Sequence, residues 1–398
     1  MDDRWQRLGE LAVAGANLQP GQVLMINAEH GQAEAVRAAA AVAYRRGATF
    51  VDAVYFDPYV KRSRIEHAAG ETLAFVPEWL GHARLAHAAG KGARINFAGI
   101  TVPGILAGLD PERLGRDHLP VLKENLVVLN QRTTNWCIVP APHPGWAAFL
   151  WPELSPDDAY ERLWAELEHV LRLDEPDPVA AWRERMAVLS AVAARLDARR
   201  FDEIHLAGPG TDLTVGLFRS SRWQAAEFST VDGLTHFPNL PSEEIFTTPD
   251  PRRVEGHVTA TKPLVLKDGS IIRGLRVRFE GGLAVAIDAD ENGEVLASHL
   301  RVDAGGMRLG ELALVDGQGR IGPLGTVFYT TLLDENAASH IALGSGYDFA
   351  VEDADDRAGV NVSATHVDFM IGSPALDVTG VTADGERVPV LRGGVWQI

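Results

Sequence analysis

Cysteine is nearly absent. The single residue Cys137 excludes any intrachain disulfide and any cysteine-based zinc cage. Its neighbours Trp136, Ile138 and Val139 form an apolar run, so the thiol is expected to be buried and inert. Positive charge is also scarce, with 37 Lys and Arg against 54 Asp and Glu and a formal net charge of −17. Nucleic acid is therefore excluded as a partner, because binding it depends on clustered cations that neutralise phosphates. No apolar run is long enough to span a bilayer. The opening Met1-Asp2-Asp3-Arg4-Trp5 also lacks a basic segment leading into an apolar one, which predicts a cytoplasmic protein with no membrane partner. A Gly-rich phosphate loop is missing too. After the first predicted strand, Ala28-Glu29-His30-Gly31 stands where G-x-G-x-x-G would be needed, so no dinucleotide cofactor is expected.

What is present is the balance of a globular protein, 46% hydrophobic and 23% charged over 398 residues, a length that calls for two domains. The first half alternates helical and strand patterns. Residues 4–16, Gln32–Arg46, 77–89 and 111–127 read as helices, and Gln22–Ala28, Thr49–Phe56, Ala93–Ala98 and Trp136–Val139 as strands. Such alternation predicts an α/β domain with a mostly parallel sheet. Two longer helices follow, Ser155–Leu173 with a capping-type start and Pro178–Arg199. From Phe201 onward, short β-rich runs are separated by turns such as Glu280-Gly281-Gly282 and Asp290-Glu291-Asn292-Gly293. The expected organisation is a scaffold over residues 1–200 and a β-rich α+β catalytic domain that binds metal over 201–398.

Four segments of the second half carry metal-ligand residue types inside apolar sequence. They are Phe237–Pro249 with Glu243 and Glu244, Leu309–Val315 with Glu311, Asp334–Gly344 with Glu335 and His340, and Thr365–Gly372 with His366 and Asp368. Each taken alone has an ordinary reading. Glu311 fits the wet side of an edge strand, and Glu335 and His340, five apart, fit a solvated helix. His366 and Asp368 share one strand face, which fits a solvated face as well as a pocket. Together they form a His and carboxylate set without cysteine, the ligand chemistry of a catalytic zinc, cobalt or manganese site. The set exceeds the needs of one tetrahedral ion, whereas two ions bridged by a carboxylate would use all of it.

These blocks resemble the thermophilic aminopeptidase T family, which includes aminopeptidase S and PepS enzymes. The resemblance rests on Pro241-x-x-Glu244-Ile245-Phe246-Thr247, Gly310-Glu311, Glu335-Asn336-x-x-x-His340 and His366-x-Asp368-Phe369-Met370-Ile371-Gly372. Gly208-Pro209-Gly210-Thr211-Asp212-Leu213 and Trp136-Cys137-Ile138-Val139 extend it along the chain. It implies a homodimer of two-domain subunits, two divalent ions per subunit, and removal of the first residue from short peptides with a free N-terminus. It further implies ligation by Glu244, Glu311, Glu335, His340, His366 and Asp368. Glu244 is preferred to its neighbour Glu243 because it directly precedes the Ile-Phe-Thr run. Glu311 would bridge the ions, and Tyr347 would donate to the developing oxyanion. The segment from Tyr347 to His366 is shorter than the family pattern and carries an acidic run, Glu352 to Asp356.

Two rival readings compete with this one. His340, His366 and Asp368 alone satisfy the triad of a mononuclear iron(II) ring-opening dioxygenase, but that leaves Glu244, Glu311 and Glu335 without a role. A non-enzymatic small-ligand binding protein requires all six candidates to be surface charges.

Overall fold

A computed structural model of the chain describes residues 3–117, 119–225, 227–266 and 269–398. Of the segments read above, His118 within 111–127 lies outside the described residues, as do Met1 and Asp2. By contacts the chain divides into two compact units, Met1–Trp182 with Glu227–Pro241, and Arg183–Ala226 with Ser242–Ile398. The sequence texture changes at residue 200, whereas the contacts divide the chain inside the Pro178–Arg199 helix. The cause is local to the second unit: Arg185 pairs with Glu243 and Asp316, and Asp197 accepts a hydrogen bond from the Trp223 amide. Residues 227–241 belong to the first unit through main-chain bonds such as Phe237 to Gly15 and Leu240 to Ile138.

The first unit is α/β. Its four parallel strands, Val23–Glu29, Phe50–Phe56, Ala93–Ala98 and Trp136–Pro140, lie in the order second, first, third, fourth. Each is reached through helices, as parallel pairing requires. The segment read as a helix over 111–127 forms two short helices, Pro111–Arg116 and Glu124–Gln131. The Pro156–Val170 helix starts where the capping pattern placed it, with Ser155 Oγ accepting from the Asp158 amide at 3.2 Å. That helix buries Leu163, Trp164, Leu167 and Val170, an i, i+1, i+4, i+7 stripe. Cys137 has no exposed surface, and burial pushes its thiol pKa well up.

The second unit is dominated by antiparallel sheets. One has eight strands. Another has five, in the order His366–Met370, His340–Gly344, Leu309–Val315, Glu244–Thr247, Gln224–Ala225. Every residue of the Glu244–Thr247, Leu309–Val315 and His340–Gly344 strands is buried. No described helix is long and apolar enough to cross a membrane.

Candidate metal centre

The register of the five-stranded sheet decides which side chains meet. Glu311 lies opposite Ala342, which lies opposite Asp368. His340 lies between Ala313 and Met370, His366 opposite Gly344, and Glu244 opposite Val315. Directly paired residues share a face and alternate residues along a strand return to it. Glu244, Glu311, His340, His366 and Asp368 therefore project from one face of four adjacent strands. Glu335 joins them from the 3-10 turn Glu335–Ala337, so it and His340 are not on a common helix. The interleaved positions at the floor, Ala313 and Ala342, are small and fully buried.

The donor atoms converge in three overlapping groups, each within 4.8 Å: Glu244, Glu311 and His340; Glu311, His366 and Asp368; Glu335, His340 and Asp368. His340 Nε2 is 3.1 Å from Glu244 Oε2, and His366 Nε2 is 3.2 Å from both Glu311 Oε2 and Asp368 Oδ1. Both imidazoles are oriented from behind. His340 Nδ1 lies 3.1 Å from the Ala338 carbonyl and His366 Nδ1 2.7 Å from the Ser345 carbonyl. A carbonyl only accepts, so each Nδ1 carries the proton and each Nε2 faces the cluster. Glu311 is buried rather than on a wet edge.

Charge in the cluster is far from relaxed. Burial raises the Glu311 and Glu335 carboxyl pKa values, Glu335 strongly, with Asp368 and Glu244 adding repulsion at Glu335. Burial works against protonation of His340, but the Glu244 carboxylate together with Glu311 and Asp368 outweighs it and lifts that pKa to about 10. His366 is likewise raised against its burial, by Tyr347 and Asp368. Asp368 is lowered because His366 overcomes the effect of burial. Glu244 Oε2 is buried and takes no well-aligned hydrogen bond. Four carboxylates crowded this way, with an under-coordinated oxygen aimed inward, fit a cation site, and the oxygen and imidazole donors suit zinc, cobalt or manganese.

Tyr347 stands beside the cluster, its ring centroid 5.4 Å from that of His366 and 5.5 Å from that of Phe246. Its backbone is held by a reciprocal pair of 3.1 Å bonds with Thr248 Oγ1. Burial pushes the phenol pKa up. The acidic run is spent locally: Glu352 pairs with Arg222, Asp353 caps the Ala354–Arg357 helix, and Asp356 accepts from Ser220. Glu243 points away from the cluster, with no exposed surface and its carboxylate 2.5 Å from Arg185 Nε. Sequence reasoning missed Asn361, whose Nδ2 donates to the Gly344 and Gly305 carbonyls at 2.6 and 2.8 Å. An asparagine between Val360 and Val362 was the only signal of it.

The thermophilic metalloprotease (M29) family model matches residues 1–396. Aminopeptidase T of Thermus aquaticus is 42% identical over 402 residues, covering 98% of both chains. Aminopeptidase PepS of Streptococcus thermophilus is 35% identical, over 98% of this chain and 96% of its own. The solved structure of wild-type AmpT from Thermus thermophilus superposes with a TM-score of 0.92 at 40% identity, covering 100% of this chain and 99% of the other. These relatives are named as aminopeptidases, which leaves the dioxygenase reading without support. The chain belongs to the thermophilic metalloprotease (M29) family and is a metal-dependent aminopeptidase.

Proposed function

We propose that the enzyme holds two divalent ions per chain and uses them to remove the first residue of short peptides with a free amino end. Glu244, Glu311, Glu335, His340, His366 and Asp368 are the ligands in this reading, and Glu311 is the bridge. The observation that carries it is the sharing among the three donor groups, with Glu311, His340 and Asp368 each belonging to two of them. Overlap of that kind suits two adjacent ions better than one. Charge agrees, since the four carboxylates bring four negative charges when ionised and two divalent cations would balance them. The ions, zinc, cobalt or manganese, would supply an acidified water and polarisation of the first peptide carbonyl.

The chain's own groups do the rest. The Ala338 and Ser345 carbonyls fix the imidazoles, so each Nε2 is presented without a search over tautomers. The Tyr347 phenol, kept protonated at neutral pH by its burial, would donate to the oxygen on which charge develops, a contribution of about 3 kcal/mol where such donors have been removed; its ring beside that of His366 supports this reading. Buried strands keep bulk water from the Glu244 and Glu311 carboxylates, while Glu335, His366 and Asp368 are partly exposed. The working form is a cytoplasmic homodimer, in keeping with the resemblance.

Metal analysis of purified protein and of the Glu311→Gln variant tests this reading. Near two ions per chain are expected in the wild type. The variant should hold fewer and be inactive while keeping its fold, because the amide retains the shape but loses the bridging charge. One ion per wild-type chain, or normal turnover by a metal-replete variant, would overturn the bridging assignment.

A further inference from the structure

The strand that supplies Glu244, Glu244–Thr247, follows directly on Glu243, and the run Glu243-Glu244-Ile245-Phe246 reads the same in two registers. Alternation places one glutamate and one apolar residue on each face whichever glutamate points to the metal centre. A one-residue slip would exchange them. Hydrophobic patterning therefore does not choose between the two.

A buried charge cluster does. The antiparallel register that pairs Glu244 with Val315, carried one step outward, sets Glu243 opposite Asp316. Two carboxylates directly opposite each other repel, and these have side chains 0% and 1% exposed. Arg185 lies between them. Its Nε meets Glu243 Oε2 at 2.5 Å, and its two terminal nitrogens grip Asp316 at 2.6 and 3.1 Å. Asp316 also accepts from the Trp396 indole at 2.6 Å. The Glu243 amide donates to Asn336 Oδ1 at 2.6 Å, which ties this strand end to the residue following Glu335.

We infer that Arg185, Glu243 and Asp316 form a register lock: they hold Glu243 on the face away from the metal centre and thereby present Glu244, and through Asn336 they position Glu335. This rests on the ligand set proposed above. In the slipped register Glu244 would take Glu243's place beside Arg185, leaving Asn336 without the Glu243 amide and the site with a misplaced carboxylate. Arg185 and Asp316 act through Glu244, so they are positioning residues and touch no substrate.

The test measures zinc affinity by calorimetry, and the cobalt(II) absorption spectrum, on folded Glu243→Gln and Arg185→Met proteins far below their unfolding temperatures. Affinity should fall at least about tenfold in Glu243→Gln and further in Arg185→Met, with an altered cobalt spectrum in both. A role limited to stability would lower the unfolding temperature and leave affinity and spectrum as in the wild type, and that result overturns the lock. Should Arg185→Met not fold, Glu243→Gln decides alone. Glu244→Gln measured alongside separates the two levels of argument. Unchanged affinity in that variant removes Glu244 from the ligand set, whereas its loss with an unaffected Glu243→Gln removes only the lock.

Discussion

Adding one methyl group at Gly310 probes how tightly the metal centre depends on backbone position. A Cβ there would lie 2.3 Å from the Ser345 carbonyl oxygen and 2.4 Å from that of Gly344, both main-chain atoms. Real Cβ contacts essentially never fall under 3.0 Å, so one strand must move by at least about 0.7 Å. Either direction disturbs the site. Moving the Leu309–Val315 strand displaces Glu311, and moving the Gly344–Ser345 segment displaces the carbonyl that orients His366. In both cases the 3.2 Å separation of Glu311 and His366 is lost. Overpacking of this kind costs about 1–3 kcal/mol of stability, and a misplacement near 1 Å costs about a hundredfold in rate. Gly310→Ala should therefore unfold a few degrees earlier and hydrolyse leucine p-nitroanilide about a hundredfold more slowly at saturating metal. Activity within twofold of wild type would refute the reasoning, because the clash is with backbone and no side chain can swing aside to relieve it.

Substrate direction gives a second prediction: N-acetylation of leucine anilide should reduce hydrolysis at least about a hundredfold, equivalent to roughly 2.7 kcal/mol of transition-state binding. Equal cleavage of both compounds would remove recognition of the free amino end. A third concerns pH and lies in the first unit. Burial, against a weaker contribution from the Leu234 backbone, lowers the His236 pKa to about 4, so the folded chain resists a proton that the unfolded chain takes up below about 6.5. Stability from this residue is complete above pH 6.5 and is lost as pH falls toward 4, amounting to about 2 kcal/mol at pH 5. The difference in urea midpoint between pH 7.5 and 5 should shrink in His236→Gln, and an unchanged difference would show that His236 does not titrate this way.

Much of this architecture is written locally, and what is not has a physical reason. The Val23–Glu29, Ala93–Ala98 and Trp136–Pro140 strands and the Pro156–Val170 helix were legible because each buries apolar residues, whereas Thr49–Phe56, read as a buried strand from its apolar run, forms the Phe50–Phe56 strand with no buried residue because it lies at the edge of the sheet. The Pro58–His67 helix escaped because only Pro58 and Ile65 are buried on it, which leaves no stripe to read. Its Asp57 cap followed by proline was the available signal. At the site, the residue types and the shared strand face of His366 and Asp368 could be read from spacing alone. Strand alternation alone did not separate Glu244 from Glu243; the family block, with Glu244 directly before Ile-Phe-Thr, did. The burial of Glu243 against Arg185, beside Asp316, joins residues far apart in sequence and left no mark in the local pattern. The return of residues 227–241 to the first unit is hidden for the same reason, since its strands, Phe228–Ser229 and Thr235–His236, are two residues long.

The sheet also explains how so much negative charge is kept in place. Four of the five candidate ligands on strands are followed by a fully buried apolar residue on the opposite face, Ile245 after Glu244, Leu312 after Glu311, Ile341 after His340 and Phe369 after Asp368, and the fifth, His366, by the buried Val367. Those residues pair across strands, Ile341 with Leu312 on one side and with Phe369 on the other. The face that carries the chemistry is thus held by the face that carries the packing, and neither can shift without the other. Spacing follows from the same source. Neighbouring strands run about 4.8 Å apart, so carboxylates and imidazoles on adjacent strands converge to within metal-sharing distance without special loops. Glu311 and Asp368 flank a common neighbour, Ala342, and a larger side chain there would fill the space between two candidate ligands. Small residues at the floor, apolar residues beneath it and carboxylates around it thus belong together, because a crowded set of buried carboxylates stays in place only on a sheet whose other face is packed.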